Sequence, residues 1–78
     1  MNSNSVVLGV LRALEIDTNG VDNATHLRDE LGVDSTELVE IAVAIERSAA
    51  VKIDTNEFLA LKTIGDLVTY VDNAAHSG

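Results

Sequence analysis

Apolar residues recur along this chain at helical spacing, broken by polar clusters that separate four segments. From Ser5 the positions Val7, Val10, Leu11 and Leu14 fall three and four residues apart, which predicts an amphipathic helix running to about Glu15, with its cap among Asn2, Ser3, Asn4 and Ser5. Asp17, Thr18, Asn19, Gly20, Asp22 and Asn23 then end the periodicity and begin a long connection to Gly32. Val21, Leu27 and Leu31 are the apolar residues able to pin it, and His26 reads as a surface loop residue. A second helix is predicted from Ser35 to about Ser48. Its core stripe is Leu38, Val39, Ala42, Ile45 and Ala49, with Ile41 at the border and Thr36, Glu37, Glu40, Val43, Glu46 and Arg47 toward the other side. Ala49 to Lys52 break the stripe, and Val51 and Ile53 predict a short extended link. Asp54 or Thr55 caps a brief helix through Phe58, Leu59 and Leu61, with Glu57 three residues after Asp54. Thr63, with Asp66 three residues on, opens a last helix along Ile64, Leu67, Val68, Val71 and Ala75, and His76, Ser77 and Gly78 fray. The fold class is all-α.

Length narrows this to one domain over residues 1–78, with an ordered core of about 5–75 and only a modest apolar interior. The absence of cysteine removes disulfides and thiolate metal sites, so packing alone must hold the fold, and any thiol the function needs has to be brought in. A net charge of -8 disfavours nucleic acid and anionic membranes and favours partners with basic patches. No apolar run approaches a membrane span, and Met1 to Ser5 lack the basic start of a signal peptide, so the expected compartment is the cytoplasm. No surplus apolar stripe beyond the core faces is evident, so the expected state is a monomer.

Candidate chemistry is sparse. The two histidines sit far apart with no third ligand at zinc spacing, and the glycines are scattered singly rather than gathered in a phosphate loop. The stretch Asp17 to Arg28 superficially resembles a calcium loop, but Val21 occupies a ligand position, Asp22 the required glycine and Arg28 the closing glutamate. A small domain also offers little concave volume for substrate. The sequence therefore predicts neither an enzyme nor a metal site.

What stands out is the run from Leu31 to Glu40, Leu-Gly-Val-Asp-Ser-Thr-Glu-Leu-Val-Glu. Gly32 closes a turn, Asp34 stands at the N-cap position, Ser35 is the first helical residue and Glu37 follows three after the cap, a capping-box pattern. First-turn amides lack intrahelical acceptors and carry the positive end of the dipole, so a phosphate ester on the Ser35 hydroxyl is well placed. Six of the thirteen acids lie between Asp29 and Glu46. They read either as a solvated face or, with Val43 projecting among them, as a docking face for a basic partner.

The run Leu27, Leu31, Gly32, Asp34, Ser35, Leu38, Glu40 resembles the phosphopantetheine attachment site of acyl and peptidyl carrier proteins. From Thr25 to Val71 the likeness continues without a gap, through Val39, Glu40, Ile45, Val51 and Ile53 to the stretch from Thr63 to Val71. The resemblance implies a four-helix bundle of the acyl-carrier type, with three longer helices and one short third helix. It further implies 4'-phosphopantetheine carried covalently on Ser35, an acyl, aminoacyl or peptidyl group riding on it as a thioester, and carriage rather than catalysis. Asp34 is then both cap and part of transferase recognition. Thr36, Glu37, Glu40, Val43, Glu46 and Arg47 fall on the family's recognition face. The implied partners are a phosphopantetheinyl transferase, acyl- or aminoacyl-loading enzymes, acyltransferases, and ketosynthases or condensation enzymes. The chain departs from the family pattern at Thr36, where most relatives have Leu, at Asp54, where Pro is frequent, and at Ala49 with Ala50, which stand in place of a bulkier corner. These lean toward a freestanding carrier of polyketide or nonribosomal-peptide biosynthesis, antibiotic pathways among them. A fatty-acid carrier and an unmodified carrier-like adaptor are the alternatives.

Overall fold

The computed structural model describes residues 2–76. It contains α1 (Ser3–Ala13), α2 (Ser35–Ala49), α3 (Thr55–Leu59) and α4 (Ile64–His76), the three longer helices and one short one that the sequence predicts. Helix α1 packs against α2 and α4, while α3 leans on α2. Val7, Val10 and Leu11 of α1, Leu38, Ile41 and Ile45 of α2, Phe58 of α3 and Ile64, Leu67 and Val71 of α4 form the core, joined by Leu27 and Val33 from the long connection. Burying such side chains supplies about 1.5–3 kcal/mol each, which is what makes α3, too short to persist alone, worth forming.

Local chemistry sets each boundary. The Asn2 side chain accepts from the amides of Asn4 at 2.9 Å and Ser5 at 3.3 Å, so α1 starts two residues before Ser5. It also ends earlier than predicted. Glu15 turns left-handed at φ 64°, and the Glu15 and Ile16 amides fold back onto the carbonyls of Arg12 and Leu11, each at 2.9 Å, which is a Schellman closure made without glycine. Helix α2 runs one residue past the predicted Ser48, to Ala49, and is closed by Ala50 at φ 55°. Asp54 rather than Thr55 caps α3, accepting the Glu57 amide at 3.1 Å. Tyr70 of α4 ties α3 down: its hydroxyl accepts the Asp54 amide at 3.0 Å and donates to Glu57 at 3.1 Å, and its ring meets Phe58 edge-on at 5.8 Å.

Some expected positions move. Val39 is 38% exposed, whereas Ile41 is fully buried, because α2 packs against both α1 and α3 and its buried arc centres on Leu38, Ile41 and Ile45. Ala75 lies exposed, beyond the last covered turn of α4. His76 is the final helical residue, its Nδ1 2.7 Å from the Asp72 carbonyl oxygen, rather than frayed; Ser77 and Gly78 lie outside the described residues.

The long connection is pinned differently from the expectation too. Leu27 is fully buried, but Val21 and Leu31 are only partly so, and Val33 is the second buried anchor. Backbone pairing adds the rest. The Leu27 amide donates to Lys62 O at 2.9 Å, Ile64 to Thr25 O at 3.0 Å and Gly65 to Asn23 O at 2.9 Å, so residues 23–27 run antiparallel to 62–65. A Cβ at position 65 would lie 2.8 Å from Asn23 O, which is why a glycine stands there.

Thr63 and Asp66 form the reciprocal cap of α4. The Thr63 hydroxyl accepts the Asp66 amide, and the Asp66 carboxylate accepts the amides of Lys62 and Thr63. The Lys62 amide above all, then the Thr63 amide and hydroxyl, hold the Asp66 carboxyl below its ordinary 3.8 against the opposing effect of burial. A depressed carboxylate contributes stability above its unfolded value and loses it as pH falls through the folded one. Melting midpoints measured from about pH 6 down to pH 3 are therefore expected to fall less steeply for Asp66→Asn than for the parent.

Candidate functional site

The candidate site is the head of α2. Gly32, at φ +69°, makes the left-handed turn that delivers the chain to Asp34. The Asp34 carboxylate accepts the Glu37 amide at 2.8 Å, as the capping pattern predicts. Ser35 follows as the first helical residue with an exposed side chain. A hydroxyl here is open to an incoming enzyme and lies beside the positive end of the helix dipole.

One participant has no periodic signal in the sequence. Arg28, seven residues upstream, donates from Nη2 to Ser35 Oγ at 3.1 Å. Its backbone is placed by a closed turn. The His26 carbonyl accepts from the Glu30 and Leu31 amides, the Arg28 carbonyl from Gly32 at 3.2 Å, and the Leu27 carbonyl from Val33 at 2.9 Å, while the Glu30 carboxylate accepts the His26 amide. A spacing of seven across an irregular turn matches neither a helix nor a strand, so only the folded turn brings the two together.

The remaining predicted residues distribute along α2. Thr36, Glu40, Val43 and Arg47 are exposed, Val43 at 42%, and Glu37 is half-buried. Glu46 is also half-buried, and one of its oxygens accepts the Ile53 amide at 2.9 Å, clipping the link between α2 and α3. Val39, expected in the core, instead joins Val43 in a shallow groove with Glu40, Ala44, Arg47 and Ser48. A second groove of about 600 Å³ lies between the connection and the end of α3, lined by His26, Arg28, Asp29 and residues 59–62. His26, Arg28 and Lys62 bring cationic or ionisable nitrogen to that side of an otherwise acidic molecule.

The donor set suits a phosphodiester. An exposed hydroxyl, a guanidinium 3.1 Å from it and the positive end of a helix are what a small anion esterified to Ser35 would need. Residues 6–71 match the family model described as a phosphopantetheine attachment site. The chain is 42% identical over 62 residues to an acyl carrier protein of Acidothermus cellulolyticus, covering 80% of this chain and 74% of that one. It is 38% identical over 80 residues to acyl carrier protein 3 of Ralstonia nicotianae, covering 96% and 92%. The meromycolate extension acyl carrier protein of Mycobacterium leprae is 33% identical over 70 residues, covering 85% and 61%.

Removing the cap tests how the site is held. Asp34→Ala is expected to cost about 1 kcal/mol of stability by denaturant unfolding. Hydrogen exchange should quicken at the Glu37 amide while the Ile45 amide keeps its protection relative to global unfolding.

Proposed function

The chain belongs to the family of acyl and peptidyl carrier proteins, and from that membership we propose that Ser35 is the serine bearing its arm and that the cargo belongs to a polyketide or nonribosomal-peptide pathway. As a family member it is a carrier and not a catalyst, with 4'-phosphopantetheine bound covalently to a serine. When bound, that group supplies the thiol the cysteine-free chain lacks, on which an acyl group is held as a thioester. The observation that carries the assignment is the exposed Ser35 hydroxyl at the capped head of α2. Asp34 fixes the first turn and presents a carboxylate beside the hydroxyl that a transferase must approach.

Docking falls to the exposed side of α2. Glu37, Glu40 and Glu46 supply charge for a basic partner, Thr36 and Val43 supply contact, and Arg47 adds a selective cation at the far end. The Val39 and Val43 groove gives that face an apolar centre. Because the arm tethers its cargo, each docking event can be weak and still present substrate at high effective concentration. The partners this fits are a phosphopantetheinyl transferase, loading enzymes and acyltransferases, and ketosynthases or condensation enzymes.

The pathway reading rests on Thr36, an exposed polar residue directly after the serine. It removes an apolar contact from the docking face. The second reading is fatty-acid carriage. Long-chain acylation separates the two. A fatty-acid carrier that encloses its chain gains melting temperature on acylation, and a carrier of the proposed kind does not.

Incubation with coenzyme A, magnesium and a permissive phosphopantetheinyl transferase is expected to add one phosphopantetheine to the parent by intact mass and none to Ser35→Ala. No gain in a folded parent would favour the unmodified adaptor. Charge reversal by Glu40→Lys is expected to raise the transferase KM by about fivefold at low salt, the scale of one exposed ion pair, and by less at high salt. A KM unchanged from the parent's at both salts would remove Glu40 from the interface.

A further inference from the structure

Arg28 is exposed and belongs to no helix, yet its backbone is fixed by the closed turn from His26 to Val33. Its side chain bonds the Ser35 hydroxyl across 3.1 Å, although Asp29, Glu30 and Asp34 are close by in sequence. A neutral hydroxyl is a weak acceptor for a guanidinium, which forms bonds about twice as strong with anionic oxygen and matches phosphate with its planar fork. The bond to Oγ thus holds a cation beside an atom that offers it little until that atom is esterified.

We propose that Arg28 is the positioning residue for the root of the phosphopantetheine arm, passing from Ser35 Oγ in the unmodified protein to the non-bridging oxygens of the phosphodiester in the modified one. The inference rests on the reading of Ser35 as the modified serine. Esterification adds one negative charge to a chain already at -8, at a point where Asp34 stands beside it, and Arg28 offsets that charge locally. The first-turn amides of α2 act in the same direction, but the Glu37 amide is already taken by Asp34. Arg28 approaches from the connection, so the pairing holds the first atoms of the arm against residues 26–33 and leaves the Val39 and Val43 groove clear for a partner. The clamp acts only at the phosphate, and the arm beyond it keeps its freedom to reach.

Phosphorus-31 NMR of the loaded protein tests this, with the parent, Arg28→Gln and Arg28→Lys each checked by intact mass. At about 0.01 M salt the parent's phosphodiester resonance is expected to be displaced from that of Arg28→Gln, and the displacement to shrink at about 1 M, where the Debye length is about 3 Å. Arg28→Lys, which keeps the charge but loses the fork, should fall between them. Loading should raise the melting midpoint more in the parent than in Arg28→Gln, and the unloaded forms of the two should melt together. Coincident resonances at low salt overturn the proposal. So does a lower midpoint for unloaded Arg28→Gln with no displacement, which would assign Arg28 to the fold. A folded parent that takes no arm at Ser35 overturns the reading of Ser35 instead.

Discussion

Backbone hydrogen bonds hold residues 23–27 against 62–65, and the geometry of the site depends on them although none touches Ser35. The connection between α1 and α2 is long and mostly polar, and in a domain this small its ordering must be offset by something other than a helix ladder. Pairing with the segment that leads into α4 satisfies the connection's amides and carbonyls, and it sets Leu27 and Val33 into the core on either side of the turn that carries Arg28. Once that turn is fixed, Gly32 and Asp34 leave the chain one way to enter α2. Ser35 is then presented at a capped helix head rather than on a moving loop.

The electrostatics follow from the same placement. An acidic chain repels anions, and the sugar-phosphate surfaces of nucleic acid with them. Esterifying a phosphate onto it is unfavourable unless the field is locally reversed. The head of α2 and the Arg28 guanidinium bring positive charge to one point, while Glu37 and Glu40 keep the neighbouring face negative, as the proposed docking to a basic partner requires. On the proposed reading, two functions with opposite demands on charge sit within two turns of one helix.

Much of this was legible in the residues. The starts of α2 and α3 are announced by Asp34 and Asp54, each with a glutamate three residues on, and Thr63 with Asp66 announces α4. The position of Ser35 at the start of α2 was legible because its cap and its turn glycine are both local. The end of α1 was not, since Glu15 adopts a left-handed conformation without the glycine that usually marks one. The exchange of Val39 for Ile41 in the core came from α2 packing against both α1 and α3, which one helix's periodicity does not reveal. Arg28 was invisible for a related reason. Its contact depends on a turn closed by backbone bonds, and backbone bonds leave no side-chain pattern.

The central claim is that one particular hydroxyl, Ser35 at the head of α2, carries the arm. Peptide mapping of the loaded protein by tandem mass spectrometry addresses it most directly, because Ser3, Ser5, Ser48 and Ser77 offer chemically equivalent hydroxyls. Phosphopantetheine on the peptide containing Ser35, localised to that residue, is the predicted result. The same mass on any other serine, with Ser35 unmodified, would contradict the account.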